Sequence, residues 1–82
     1  MAKNTKRYAI VNKKNIVPLF SDTKHGRYMI RPANYDGFDW EPSYLTVRRK
    51  ARTREEARAI KKAMSNPRNW AIVDMHNGYA VR

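Results

Sequence analysis

Short stretches in which apolar and polar residues alternate recur along the chain and predict β-strands. They are rich in β-branched and aromatic residues and are separated by turn-forming residues. Six strands are predicted, over 8–11, 16–20, 27–31, 44–49, 70–75 and 79–82. Pro18 cannot donate a hydrogen bond to a neighbouring strand, so we expect the second strand to lie at a sheet edge. Asn77-Gly78 favours a two-residue type I′ turn between the last two strands.

One segment changes to helical periodicity. Thr53, followed three residues later by Glu56, forms a capping box, and Asn66-Pro67 predicts the end of the helix, which should run from 54 through Ser65. The predicted fold is therefore α+β, a small antiparallel β-sheet of five to six strands with one amphipathic helix in the order β-β-β-β-α-β-β. Its length predicts one small basic domain over 1–82, of which 1–6 is expected to be flexible.

The alternation also sorts side chains onto two faces of the sheet. One face carries Tyr8, Ile10, Trp70, Ile72 and Tyr79, and the opposite face carries mostly smaller residues. A single helix covers only one face. If it covers the small-residue face, the aromatic rings are exposed and offer stacking platforms for bases. If it covers the aromatic face, the rings belong to the core, and the isoleucines among them favour this second alternative.

Composition excludes several classes of function. Cysteine is absent, which excludes a disulfide scaffold, a thiolate metal site and a cysteine nucleophile. His25 and His76 lack ligand spacing, and the three scattered glycines form no phosphate-binding loop. We therefore expect a non-enzymatic protein with no cofactor and no metal. Because no apolar run is long enough to span a membrane and no secretory signal is evident, the expected location is intracellular, in the cytoplasm, with no membrane partner.

Charge gives the clearest indication of a partner. The chain has 18 Lys and Arg against 7 Asp and Glu, a net charge of +11. Eight of these cations lie within 48–62, and on the helix four of them fall within an arc of about 100°. A solvated helix face is the simpler interpretation of the helix alone, but the same sign continues through the preceding strand end and turn. Such a surface is typical of proteins that bind the phosphates of nucleic acids.

The predicted nucleic-acid-binding residues combine this basic segment with one aromatic ring. Tyr44 is included because its predicted strand neighbours on the same face are polar, so its ring should be exposed and able to stack on bases. The set is Tyr44, Arg48, Arg49, Lys50, Arg52, Arg54, Arg58, Lys61 and Lys62. The sequence leaves open whether the partner is DNA or RNA.

A second hypothesis rests on the loop over 34–41. Its aromatic and acidic residues are of the types that dominate protein–protein interfaces. Here the protein would be an interaction module or a small inhibitor that docks on a partner protein with an acidic surface. The candidate protein-binding residues are Tyr35, Phe38, Asp39 and Trp40.

Overall fold

A computed structural model describes residues 6–37 and 39–81. It contains one six-stranded antiparallel sheet and, among those residues, one α-helix, which confirms the predicted α+β fold and element order. The elements are β1 (Tyr8–Asn12), β2 (Ile16–Asp22), β3 (Arg27–Pro32), β4 (Arg49–Ala51), α1 (Arg54–Ala63), β5 (Trp70–Asp74) and β6 (Tyr79–Val81). None of the helices in these two ranges is long and apolar enough to cross a membrane.

The order of the strands forces the sheet to coil. Across the sheet the order is β2-β3-β6-β5-β1-β4, so consecutive strands β1 and β2 are separated by three others. In a flat sheet they would lie about 19 Å apart, whereas the four Cα steps from Asn12 to Ile16 reach at most about 14 Å. The connection is shorter still, because residues 13–15 form a 3₁₀ turn. The sheet therefore coils strongly, in the manner of an incomplete barrel.

Coiling gives the sheet an inner face that holds the larger core cluster. Its buried members come from β1, β2, β3, β5, β6 and the segment that follows Tyr44. They are Val11, Ile16, Ile30, Leu45, Ala71, Val73 and Ala80. Strand β2 lies at one edge of the sheet, as Pro18 predicts.

Helix α1 covers the outer face, where it packs against β1, β4 and β5. The side-chain oxygen of Thr53 accepts a hydrogen bond from the Glu56 backbone N–H at 3.1 Å, which confirms the predicted N-cap. Beneath α1, Ala57 packs with Ile10 and Ile72, and Tyr8 and Trp70 are partly buried against the same cluster. Of the two alternatives for the aromatic face, the structure therefore has the one in which these rings belong to the core.

The predicted fourth strand, 44–49, is wrong in its position. Residues Pro42–Tyr44 form a 3₁₀ turn, and β4 begins only at Arg49. The reason is that the backbone N–H groups of Tyr44 and Leu45 donate to Glu41 and Pro42 within this turn, so they are not available to a neighbouring strand. The apolar–polar alternation that suggested a strand does correspond to a pattern of burial, because Leu45 is buried between exposed neighbours.

Two other predicted boundaries differ from the structure. Helix α1 ends at Ala63 rather than Ser65, since Met64 is extended (φ −82°, ψ 154°) and packs against the cluster beneath the helix. The last hairpin pairs Ile72 with Val81, which leaves four residues, 75–78, in its loop instead of two. Within this loop the N–H of Gly78 donates to the carbonyl oxygen of Asp74 at 2.8 Å. The shift is by two residues, so every side chain keeps its predicted face.

Gly78 combines a left-handed backbone with close packing, and this combination generates a prediction. Its φ is +78°, and a Cβ placed on it would lie 3.3 Å from the Trp40 ring. Gly26 has a similar φ of +64°, but its Cβ would meet only the end of Arg54, at 3.6 Å. Each change to Ala should destabilise the fold by about 1–2 kcal/mol through backbone strain. Gly78→Ala should lose more stability than Gly26→Ala, because the Trp40 ring must shift to make room for the new Cβ. Urea unfolding of both variants measures the difference, and equal losses would contradict the packing of Trp40 on this turn.

Candidate nucleic-acid interface

The basic side of α1 borders a groove. One hollow of about 620 Å³ lies between β2 and the start of β5, and Lys61 is part of its wall. A second hollow of about 240 Å³ is lined by Arg58, Lys61 and Lys62 together with apolar residues. The two hollows share Lys61 and Val81, and we call them together the basic groove. Lys13, in the β1–β2 connection, completes its set of cations.

Lys61 lies at the centre of this charge cluster. Partial burial, followed by the positive charges of Lys13 and Arg58, lowers the pKa of its ammonium below the ordinary value. The charged form of Lys61 is therefore less stable here than in an isolated lysine, and an anion in the groove would stabilise it. The like charges arrive from two separate elements, α1 and the β1–β2 connection, so the groove depends on the fold and not on the helix alone.

Arg54, the first cation of the predicted helical arc, lies at the β2–β3 hairpin. Its Nη2 is 3.5 Å from the carbonyl oxygen of Gly26, and the side chain is half-buried. Arg54 thus ties the start of α1 to the hairpin, while Arg58 and Lys62, farther along the helix, are exposed.

The remaining predicted cations lie on edge strand β4 or beside it. Arg49 pairs with Ile10 and Lys50 pairs with Ala9, so these two adjacent side chains are on opposite faces of the sheet. Arg48 and Arg52, which flank them, are exposed. The structure therefore brings Arg58, Lys61 and Lys62 together at the groove and distributes the β4 cations over two faces.

Acidic groups near the sheet have partners of their own. The Asp22 carboxylate is 2.8 Å from His25 Nδ1 and accepts from Arg27 Nε at 3.1 Å. The hydrogen bond with His25 is the main reason that the pKa of Asp22 is lowered, and the bond from Arg27 acts in the same direction. Among the described residues that line the basic groove there is no carboxylate.

Tyr44 is exposed, as predicted, but it does not line the groove. Its side chain is 57% exposed, and its ring centroid lies 6.0 Å from that of Tyr35. It borders a different hollow, together with Asn15 and Ala33. The exposed aromatic ring in the groove is instead Phe20, which sequence reasoning missed. A signal was present, because two large apolar residues directly follow the Pro18 that marks an edge strand.

The candidate protein-binding residues of the second hypothesis differ in their exposure. Trp40 is partly buried against the inner core cluster, and Tyr35 is half-buried with its carbonyl oxygen accepting from Arg31 at 2.6 Å. Asp39 is exposed, and Phe38 lies outside the described residues. Because Trp40 supports the fold, Trp40→Ala would lower stability together with any partner affinity. It therefore does not isolate a docking role.

No group of three or more His, Asp or Glu side chains in the described parts of the chain is placed to hold a metal ion. Comparison with protein-family models, with curated proteins and with solved structures found no significant match to this chain.

The buried carboxylate of Asp74 pairs with Arg7, a side chain that is 45% exposed and lies directly before β1. Arg7 donates to both carboxylate oxygens of Asp74, at 2.9 and 2.8 Å, and the His76 backbone N–H donates to one of them at 2.9 Å. Burial alone would raise the pKa of Asp74, but the bonds from Arg7 and His76 and the charge of Arg7 outweigh it. The pKa therefore lies below the ordinary value of 3.8. Arg7 thus has a structural role as the partner of Asp74.

This depressed pKa fixes the direction of a pH effect. The contribution of the ion pair is complete above the ordinary carboxyl pKa and is lost as the pH falls through the lower folded value. Asp74→Asn should therefore lower the melting temperature by several degrees at pH 7, and the gap to the wild type should narrow towards pH 3. Thermal unfolding followed by circular dichroism measures both, with Asp36→Asn, an exposed loop carboxylate, as the control. A gap that stays constant with pH would contradict the role assigned to the Arg7–Asp74 pair.

Proposed function

We propose that this chain is a small, non-enzymatic nucleic-acid-binding protein that contacts phosphates through the basic groove. The observation that carries the proposal is the convergence of Arg58, Lys61 and Lys62 with Lys13 along one groove in which no described lining residue is acidic. The net charge of +11 supports a polyanionic partner, and the groove gives that charge a location.

The energetic argument follows from like-charge repulsion. Burial is the main reason that the pKa of Lys61 is lowered, and the positive charges of Lys13 and Arg58 lower it further, so their repulsion destabilises the folded chain. A phosphate backbone relieves this repulsion and releases its own condensed counterions when it binds. Arg48, Arg49, Lys50, Arg52 and Arg54 do not line the groove, and they would contribute long-range attraction to the nucleic acid rather than phosphate contacts.

The number of groove cations predicts the salt dependence of binding. If Lys13, Arg58, Lys61 and Lys62 each meet one phosphate, log K against log salt should have a slope of about −3.6 on duplex DNA and about −2.8 on single strands. Fluorescence anisotropy with labelled DNA and RNA over a range of salt concentrations measures this slope. Absence of binding tighter than the high-micromolar range on every nucleic acid at near-physiological salt would refute the proposed function.

Charge reversal at two positions separates the groove from net charge. The variant Arg58→Glu/Lys62→Glu should lose nearly all binding, while its melting temperature should change little, because both side chains are exposed. The matched control is Arg49→Glu/Lys50→Glu, which makes the same change in charge at exposed residues of β4.

The control should retain most of the affinity and lose only the long-range attraction. Equal losses in the two double variants would show that binding follows total charge, and the assignment of the contact to the groove would be wrong.

A further inference from the structure

The larger hollow of the basic groove has an apolar wall that phosphate binding does not use. Phe20 is 57% exposed and Leu19 is 48% exposed, and both line the hollow. They lie on edge strand β2, where the register with β3 shifts between Pro18 and Phe20. Leu19 has no partner in that register, which is the signature of a β-bulge. Bulges commonly redirect side chains at edges and functional sites, and here two large apolar side chains remain in contact with water.

The opposite side of the hollow is a fixed aromatic surface. Trp70 lines it, and its indole Nε1–H donates to the carbonyl oxygen of Ser65 at 3.2 Å. This bond and the packing of the ring near α1 hold Trp70 in place. Tyr28, partly buried on β3, also lines the hollow. The space between the elements is about 620 Å³, within the range of about 300–1,000 Å³ found for small-molecule sites.

The two charged side chains on the walls of this hollow carry the same sign. Lys13 lies on the β1–β2 connection and Lys61 on α1, and none of the other described lining residues is charged. An occupant that complements the hollow is therefore planar and apolar in one part and anionic in another. A nucleobase with its flanking phosphates has this combination, and aromatic side chains bind the faces of all bases in a sequence-tolerant manner.

We propose that the hollow between β2 and β5 receives an unpaired nucleobase, with its flanking phosphates at Lys13 and Lys61, so that the preferred ligand is single-stranded nucleic acid. The inference rests on the proposed function and restricts its preferred ligand to single-stranded nucleic acid. Phe20 is the stacking residue, in place of Tyr44. In a duplex the bases are already stacked, so the hollow discriminates against it.

The same observations argue against a second copy of this chain in the hollow. Pairing along β2 is hindered by Pro18, which cannot donate a hydrogen bond, and by the bulge that follows. Association would also bring two chains of net charge +11 together at their lysines.

Two oligonucleotides with the same phosphates test the inference. One is oligothymidine of about 12 nucleotides, and the other is its abasic counterpart, which has the sugar–phosphate chain without bases. At one salt concentration the wild type should bind oligothymidine about tenfold tighter, a difference of about 1.4 kcal/mol. Phe20→Ala should abolish this preference and leave the affinity for the abasic chain and for duplex DNA unchanged.

Three further variants separate stacking from simple hydrophobic contact and from a folding defect. Phe20→Leu keeps an apolar side chain without the ring and should lose the preference, whereas Phe20→Tyr should retain it. Tyr44→Ala removes an equally exposed ring outside the hollow and should have no effect on it. All four variants should keep the wild-type melting temperature to within a few degrees, since both positions are more than half exposed.

The outcomes distinguish the two proposals. Equal affinity of the wild type for the thymidine and abasic chains would overturn the base-binding hollow and leave phosphate binding standing. Loss of the preference in Tyr44→Ala but not in Phe20→Ala would place the stacking site at Tyr44 and overturn it as well. Salt-independent or absent binding of both chains would overturn the proposed function itself. If Phe20→Ala changed the sedimentation of the free protein but not its oligonucleotide affinity, the hollow would be a contact between copies.

Discussion

The short connection between β1 and β2 is the constraint on which the rest of the architecture depends. Three residues, 13–15, join strands that stand fifth and first in the sheet, so the sheet must coil. Coiling encloses the cluster around Ile30 and Val73, and leaves an outer face for α1. It does not close the barrel, because β2 remains an edge strand. The hollow beside Phe20 and Trp70 lies at this open side, and Lys13 is at its rim because Lys13 belongs to the connection itself.

Helix α1 supplies most of the cations that line the groove beside this coiled sheet. Its buried contact is small, with Ala57 fully buried and Ile60 and Met64 partly so, which allows the basic arc to lie directly beside the apolar one. Lys61, on α1, therefore lines both hollows together with Val81 of β6 and lies close to Lys13 and Arg58. The resulting repulsion is a cost to the free protein that an anionic ligand would remove. A groove of this kind couples binding to the electrostatics of the fold.

Local signals in the sequence predicted much of this fold. Features that depend on contacts between distant parts of the chain were not predicted. Thr53 caps α1 as expected, and Pro18 marks an edge, because both effects act within a few residues or on a single hydrogen bond. The fourth strand was misplaced because the turn at Pro42 uses the N–H groups of the residues that follow it. The sequence predicted a basic surface on α1 but no groove. The arc of α1 is a helical pattern, but its meeting with Lys13 and Phe20 depends on the coiling of the whole sheet.

The cations of β4 have a physical role that does not require a ligand. Strand β4 is the second edge of the sheet, and exposed edges invite pairing with other chains. Arg49 and Lys50 put a charge on each face of this edge, and Arg48 and Arg52 extend it in both directions. At the opposite edge, Pro18 and the bulge in β2 already hinder pairing with another chain. Charged side chains are therefore not required there, and Phe20 is exposed instead. The run of eight cations in the sequence thus serves two purposes: the half around β4 protects an edge, and the half on α1 is free of that task and, apart from Arg54 at the hairpin, borders the groove.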